Sequence, residues 1–165
     1  MKIDVPVVKS VDVLLVGGSL EGVKNALEAK AENRSVFCVT PYTYLGDDLC
    51  AHFDFQSPKS EAFRYFFGDA ECMAPMRIKS ALERRFMEGG IGFFYQTHPV
   101  EPVYDSNGNV AGLLVANRSG FQIIAAKVIL DATERSLAAR ACGVHCKTFV
   151  PGKFRVERFV MGQAG

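Results

Sequence analysis

The residues best suited to chemistry are the small ones that follow the first apolar run. The stretch "VGGSLEG" spaces Gly17, Gly18, Ser19 and Gly22 like a G-x-G-x-x-G turn, except that its middle glycine is Ser19. Between a strand and a helix, such a turn lets the backbone approach the pyrophosphate of a dinucleotide, whose charge the helix N-terminus favours. Serine intrudes little there, and its hydroxyl could donate to a phosphate. Two hypotheses stay open: a dinucleotide-binding turn, or a purely structural one.

A dinucleotide turn has a second requirement, an acidic residue at the end of the second strand that holds a ribose hydroxyl. Thr40 stands there, followed by Pro41. Thr40 can form a hydrogen bond, but it lacks the charge and the paired acceptor of a carboxylate. Asp47 and Asp48 come further along the chain and do not occupy that position.

Apolar patterning predicts the elements that would position these residues. Short apolar runs over 11–16 and 35–39 are typical of strands buried on both faces, and 20–31 has the period of an amphipathic helix. Together they predict a right-handed parallel β-α-β unit. Residues 41–75 are less regular, with a short helix at 61–67. A longer helix is predicted to open at Pro75 and to stop at the glycine pair 89–90.

The second half of the chain predicts mainly strands. Residues 91–97 form one strand, and Asn107-Gly108 between β-rich runs indicates a hairpin, so 99–126 is predicted to be a three-stranded antiparallel meander. A final buried strand over 127–132 and a short helix over 136–142 follow. The expected fold class is α/β, a Rossmann-like parallel sheet with the three-stranded meander as its crossover layer.

Composition excludes several classes of function. The chain has 165 residues, 48% hydrophobic and 22% charged, which suits one soluble globular domain. Its net charge of +1 gives no electrostatic reason to expect nucleic acid or a membrane surface as a partner. No apolar run is long enough to span a bilayer, and the N-terminus lacks the pattern of a secretory signal.

The cysteine pattern predicts thiols. Five cysteines at irregular spacing indicate reduced side chains in a cytoplasmic protein. Cys142, His145 and Cys146 lack a second ligand pair, so we predict structural thiols beside a surface histidine and no metal site. The acidic stretch "DDLCAHFDF" is predicted to be a polar loop, with an active Cys50 or His52 as the alternative.

Nearly the whole chain resembles the nucleotide-binding domain of the FAD-dependent oxidoreductases with a glutathione-reductase-type fold. "DVLLVGGSLEGVKNALEAK" is similar to the first β-α unit of that family. "ILDATERSLAARACGV" is similar to its last strand and following helix, and the preceding meander strengthens the match. The resemblance implies FAD as cofactor. Gly17, Gly18, Ser19 and Gly22 would hold its pyrophosphate, Thr40 would lie near the adenosine ribose, and Arg135 would lie near the phosphates.

The chain departs from the family pattern where the flavin would bind. Beyond Ser19 and Thr40, Asp47 replaces a glycine in the turn after the second strand, and Glu134-Arg135 replaces a Gly-Asp pair. Glu134 would add negative charge near a diphosphate, whereas Arg135 would add a cation. NAD is a weaker candidate than FAD, because NAD needs the acid that is missing at position 40.

The resemblance also implies an organisation. Residues 1–146 form the predicted FAD/NAD(P)-binding-like domain, and 147–165 form a tail or the start of a second domain. In the family, the flavin lies between this domain and a substrate domain, so a missing substrate domain or a partner subunit is expected. No residue is a credible catalytic acid or base, and the chain alone is expected to be an incomplete oxidoreductase. The alternative is a flavin-free scaffold or interaction domain that retains the fold.

Overall fold

The computed structural model describes residues 4–52, 60–148, 150–153 and 156, and it arranges strands and helices around a single sheet. The strands are β1 (Val7–Val16), β2 (Val36–Val39), β3 (Gly92–Phe94), β4 (His98–Tyr104), β5 (Val110–Asn117) and β6 (Gly120–Asp131). The helices are α1 (Leu20–Ala31), α2 (Asp47–Cys50), α3 (Glu61–Phe67), α4 (Pro75–Glu88) and α5 (Leu137–Ala141). None of these helices has the length and apolar character needed to cross a membrane. Asp54 and residues 157–165 of the predicted tail lie outside the described residues.

The sheet brings three strand ends to one edge. Its order is β3-β2-β1-β6-β5-β4; the pairs from β3 to β6 are parallel, whereas β6, β5 and β4 are antiparallel. Val16 at the end of β1 pairs with Val39 of β2 and with Asp131 of β6. The predicted α/β class, with a Rossmann-like parallel sheet and a three-stranded meander, is confirmed. Ligands of such folds bind beyond this carboxyl edge.

The meander joins the main sheet and is not a separate layer. The sequence predicted a third meander strand and a distinct final strand, but β6 runs unbroken from Gly120 to Asp131. Its first residues pair with β5, and residues from Ile123 onward also pair with β1. One edge of β6 pairs with β5 and the other with β1. Because Val7 pairs with Ile123 on that second edge, β1 begins at Val7, earlier than predicted.

Alternation along the buried strands divides the core between the two faces of the sheet. Leu15 and Cys38 face one side, where they pack in a cluster with residues of α1, α3 and α4. Leu14 and Phe37 face the other side, which includes Ala138 of α5. Both faces are therefore covered along β1 and β2, in accord with their continuous apolar sequences.

The helix boundaries follow local signals. Ser19 caps α1, and Ser60 caps α3 by accepting a hydrogen bond from Phe63. Pro75 opens α4, whose C-cap is Gly89, so both ends of this predicted helix are confirmed. The four-residue α2 was not predicted, because it is too short to show a helical period.

Candidate functional site

Two glycines let α1 begin directly against the turn that follows β6. Gly17 has φ of +99°, and a Cβ there would lie 2.6 Å from the carbonyl carbon of Ala132. A Cβ at Gly22 would overlap the Cβ of Ala132. Larger residues at either position would push the first and last parallel strands of the chain apart. These two glycines therefore have a packing role whether or not a ligand binds.

Ser19 uses its hydroxyl inside the chain. Its backbone is extended, with φ of −61° and ψ of 157°, and its Oγ accepts a hydrogen bond from the Gly22 N–H at 3.2 Å. The Ser19 carbonyl accepts from the Val23 N–H at 2.9 Å. These are the bonds of an N-cap residue. The oxygen of this hydroxyl is thus engaged in capping α1, whereas its O–H remains able to donate.

The acidic helix α2 lies across the start of α1. The Asp48 Oδ2 accepts a hydrogen bond from the Leu20 N–H at 3.1 Å. The Gly46 N–H donates to the Gly18 carbonyl at 2.6 Å and fixes the approach of this segment. The Asp47 carboxylate packs against Gly18 so closely that a Cβ there would lie 2.9 Å from its Oδ1. Because helix N-termini favour anions, these carboxylates occupy the place suited to a phosphate.

Asp47 is the buried member of this pair. Its residue is 7% exposed, and its Oδ1 has no hydrogen-bond partner among the described residues. Burial raises the pKa of Asp47 to about 6, and the neighbouring charge of Asp48 adds to the rise. The nearby backbone N–H groups of Asp47 and Gly18 and the charge of His52 act in the opposite direction and lower this pKa, although neither N–H has the geometry of a hydrogen bond to Oδ1.

The turn after β6 forms the opposite wall. The Asp131 carboxylate accepts hydrogen bonds from the Thr133 N–H at 3.0 Å, the Thr133 hydroxyl at 2.7 Å and the Ala139 N–H at 2.8 Å. Beyond it, the Glu134 Oε2 lies 3.5 Å from the Nε2 of His52, which follows the C-cap of α2. This contact joins the α2 segment to the β6 turn across the cleft.

Two clefts flank the junction. The first holds about 690 Å³, and its lining includes Ser19, Gly22, Asp47, Asp48 and Glu134. The second holds about 330 Å³, and Asp47 and Glu134 line it from the other side, together with Arg135. The first has the size of a small-molecule site.

The structure brings together only part of the predicted site. Gly17, Gly18, Ser19 and Gly22 form one turn at the start of α1. Thr40 is fully buried, and its Oγ1 accepts a hydrogen bond from the Tyr42 N–H at 3.3 Å. This position gives no support to its predicted contact with a ribose, which stays a prediction.

Arg135, predicted near the phosphates, lines the second cleft and not the first. Asp47 and Asp48 are the site residues whose position the sequence did not predict. The sequence did indicate something unusual here, because Asp47 replaces a glycine in the turn of the family pattern. The contact of Asp47 and Asp48 with α1, however, depends on tertiary structure.

A dinucleotide diphosphate does not fit the donors of this turn. The Leu20 N–H is bonded to Asp48, the Gly22 N–H is bonded to Ser19, and Gly18 is covered by Asp47. A phosphate there would meet carboxylates where it needs donors. Repulsion between two unit charges 4 Å apart is about 4 kcal/mol at an effective dielectric constant of 20.

Metal chemistry has no geometric basis in the described part of the chain, where no three His, Cys, Asp or Glu side chains converge. All five cysteines are free thiols. Burial raises the pKa of Cys38, and that of Cys50 is also raised, chiefly by burial, so neither is activated as a thiolate.

No protein-family model and no curated protein matches the sequence. Solved structures match the fold. Thermovibrio ammonificans THI4 superposes with a TM-score of 0.62 at 17% identity, over 81% of this chain and 61% of that one. The myxobacterial chondrochloren halogenase CndH, a variant of FAD-dependent halogenases, gives 0.58 at 12% identity, over 81% and 39%. A geranylgeranyl bacteriochlorophyll reductase-like protein from Thermoplasma acidophilum gives 0.58 at 17%, over 82% and 42%.

These likenesses confirm the predicted FAD/NAD(P)-binding fold, which the chain shares with FAD-dependent oxidoreductase domains. At identities this low they extend to the fold alone. The chain spans 39% of the halogenase and 61% of THI4, so it corresponds to one part of those longer proteins.

Proposed function

We propose that this chain is a domain of FAD/NAD(P)-binding fold that has lost its dinucleotide and serves as a scaffold or interaction domain, derived from a flavoprotein oxidoreductase. The hydrogen bond from the Leu20 N–H to Asp48 Oδ2 carries this proposal. It satisfies, from within the chain, a donor that a dinucleotide phosphate would otherwise use.

Charge supports the same conclusion. The lining of the larger cleft includes Glu21, Asp47, Asp48, Asp131 and Glu134, and His52 is its one basic residue. A diphosphate entering this cleft would lose hydration and meet carboxylates on both walls. The competing function is an FAD-binding domain of an oxidoreductase, which the fold of the neighbours favours. FAD binding would require α2 to move away from the turn at the start of α1.

The test compares ligand-induced stabilisation. The purified protein is inspected for the visible absorbance of flavin and is then melted with and without FAD, NAD or ADP, because a ligand that binds only the native state raises the melting temperature. We expect a colourless protein and no shift. The double variant Asp47→Gly/Asp48→Ala removes both carboxylates from the turn, and we expect it to gain a shift with ADP.

The matched control is Asp69→Ala/Glu71→Ala, which removes two exposed acids in the loop between α3 and α4. It should behave like the wild type, since neither residue lines the cleft. Flavin that copurifies with the wild-type chain, or a wild-type shift with FAD, would overturn the proposal and establish the competing function.

A further inference from the structure

The α2 segment, residues 46–52, is held in place by contacts on two sides. On one side, the Asp48 Oδ2 accepts the Leu20 N–H at the start of α1. On the other side, the Nε2 of His52 lies 3.5 Å from the Glu134 Oε2 in the turn after β6. The segment begins at Gly46, whose φ of +84° favours glycine. The two clefts flank the segment and leave space beside it.

Apolar burial makes this closed position of the segment the stable one. Leu49 and Cys50 are buried in the cluster that includes residues of α1 and α4. Because α2 itself has only four residues, it can open locally at a smaller cost than unfolding of the whole chain. A group in the segment whose charge changes with pH then changes how often the segment opens.

Asp47 is such a group, and its charge opposes the closed position. The residue is 7% exposed, and its Oδ1 packs near Gly18 without a hydrogen-bond partner among the described residues. Burial raises the pKa of Asp47 from 3.8 to about 6, and burial also raises that of Asp48. The closed position is therefore favoured while these carboxyl groups are protonated, and the advantage is lost as the pH rises through about 6.

The contact between His52 and Glu134 depends on pH in the same direction. An imidazole pairs with a carboxylate only when it is protonated, and histidine is the side chain that usually gains its charge between about pH 8 and 5. The two side chains are 49% and 60% exposed, so water weakens the pair and it supplies the smaller share of the effect.

The surrounding groups do not reverse this direction. The other charged or titratable groups that line the clefts or act on α2 are Glu21, Cys38, Tyr42, Tyr44, Cys50, Lys79, His98, Asp131 and Arg135. Burial raises the pKa of Cys38, Cys50 and Tyr44, which keeps these groups neutral. Carboxylates, lysine and arginine ordinarily keep their charge between about pH 5 and 8. A histidine at position 98 acts in the same direction as His52, since an imidazole gains charge only on acidification.

We propose that the α2 segment is a pH-sensitive lid, which closes the start of α1 against the β6 turn at mildly acidic pH and opens more often as the pH rises. Opening frees the Leu20 N–H from Asp48. The proposal goes beyond the proposed function and holds whether or not a dinucleotide binds, since all of these contacts lie within the chain.

The experiment measures amide hydrogen exchange of the purified chain at pH 5 and pH 8, without added nucleotide. The reporters are the N–H groups of Leu20 and Ala51, which donate to Asp48 and to the Asp47 carbonyl. Dividing the exchange rate of an unfolded peptide by the measured rate gives a protection factor, which removes the intrinsic effect of pH. We expect the protection factors of both reporters to be about tenfold lower at pH 8, as the raised pKa of Asp47 requires.

Two variants separate the contributions. Asp47→Asn should reduce the fall between pH 5 and pH 8 to about twofold, because the amide cannot ionise. His52→Gln should lower protection about twofold at pH 5 and leave it unchanged at pH 8, because only the protonated imidazole pairs with Glu134. The matched control is His145→Gln at an exposed position, which should behave like the wild type at both values.

The amide of Leu14 in β1 distinguishes local opening from global unfolding, and it should exchange more slowly than both reporters at each pH. Equal protection of Leu14 and the reporters would overturn the lid. So would protection factors that are the same at pH 5 and pH 8, or a full tenfold fall in Asp47→Asn. The FAD and ADP melts judge the proposed function separately, because no nucleotide is present in this experiment.

Discussion

Asp47 and Asp48 are neighbours in the sequence, but their carboxylates have different surroundings. The Asp48 residue is exposed as a whole, but its Oδ2 accepts the Leu20 N–H at the start of α1, and burial of the carboxyl group raises its pKa as well. The Asp47 side chain is buried against Gly18, with one oxygen lacking a partner. Its raised pKa means that the ionised carboxylate is less stable in the folded than in the unfolded chain. Asp47 is thus a position where the fold tolerates an unfavourable charge.

The variant Asp47→Asn should stabilise the protein at neutral and alkaline pH. The folded pKa is about 6 against an ordinary 3.8, so the wild-type chain loses stability as pH rises through this window. Asparagine does not ionise, so the variant does not lose stability as the pH rises. Urea unfolding should give a gain of about 1–3 kcal/mol at pH 8, about half as much at pH 5, and little below pH 4.

The control for this variant is Asp69→Asn at an exposed loop position. It should change the free energy of unfolding by less than about 0.5 kcal/mol at each pH. A gain from Asp47→Asn that is the same at pH 4 and pH 8 would show that ionisation of Asp47 is not its cause.

At the scale of elements, Ser19 links the unusual turn to the stability of α1. The serine that replaces the middle glycine of the fingerprint is the N-cap of a 12-residue helix. The same substitution that weakens the match to a dinucleotide turn therefore has a local physical benefit. The element was predicted with its observed bounds, but this use of the hydroxyl was not.

The variant Ser19→Ala should lower the free energy of unfolding by about 1 kcal/mol, because the Gly22 N–H loses its acceptor. Ser19→Gly, which restores the fingerprint glycine, should cost only a few tenths of a kcal/mol. Urea unfolding at constant pH measures both. Ser106→Ala, in the turn between β4 and β5, is the control. Equal losses for the alanine and glycine variants would exclude a capping role.

Long periodic elements were predictable, whereas short ones defined by their contacts were not. The sequence predicts helices α1 and α4 from their apolar period and from the residues typical of helix ends. The α2 turn spans four residues and is held by bonds to Gly18 and Leu20, far away in the sequence. The continuity of β6 also escaped prediction, since it depends on simultaneous pairing with β1 and β5.

At the scale of the whole molecule, the contact between Gly22 and Ala132 links the two parallel strands β1 and β6. Gly22 lies in α1, which follows β1, and Ala132 directly follows β6. They are distant in sequence, yet a Cβ at Gly22 would overlap that of Ala132. The contact fixes how α1 meets the β6 turn, and both residues line the first cleft. This dependence makes the pair a test of the overall arrangement.

The variant Gly22→Ala should destabilise the protein by about 1–3 kcal/mol through overpacking. Combining it with Ala132→Gly removes the opposing methyl group and should recover at least about 1 kcal/mol beyond additivity. Urea unfolding of both single variants and the double variant measures the coupling. Gly152→Ala meets open space and should be neutral. Strict additivity of the two changes would contradict the contact.

The sequence by itself determined the fold class, the β-α-β entry and the meander, because apolar period, glycines and turn residues act over short distances along the chain. Only the tertiary structure decided how the site is used. The sequence left open whether the "VGGSLEG" turn meets a phosphate or something else. Folding brings Asp47 and Asp48 to that turn from about 30 residues away. Local patterns carry no information about such a contact, since it depends on how separate elements pack.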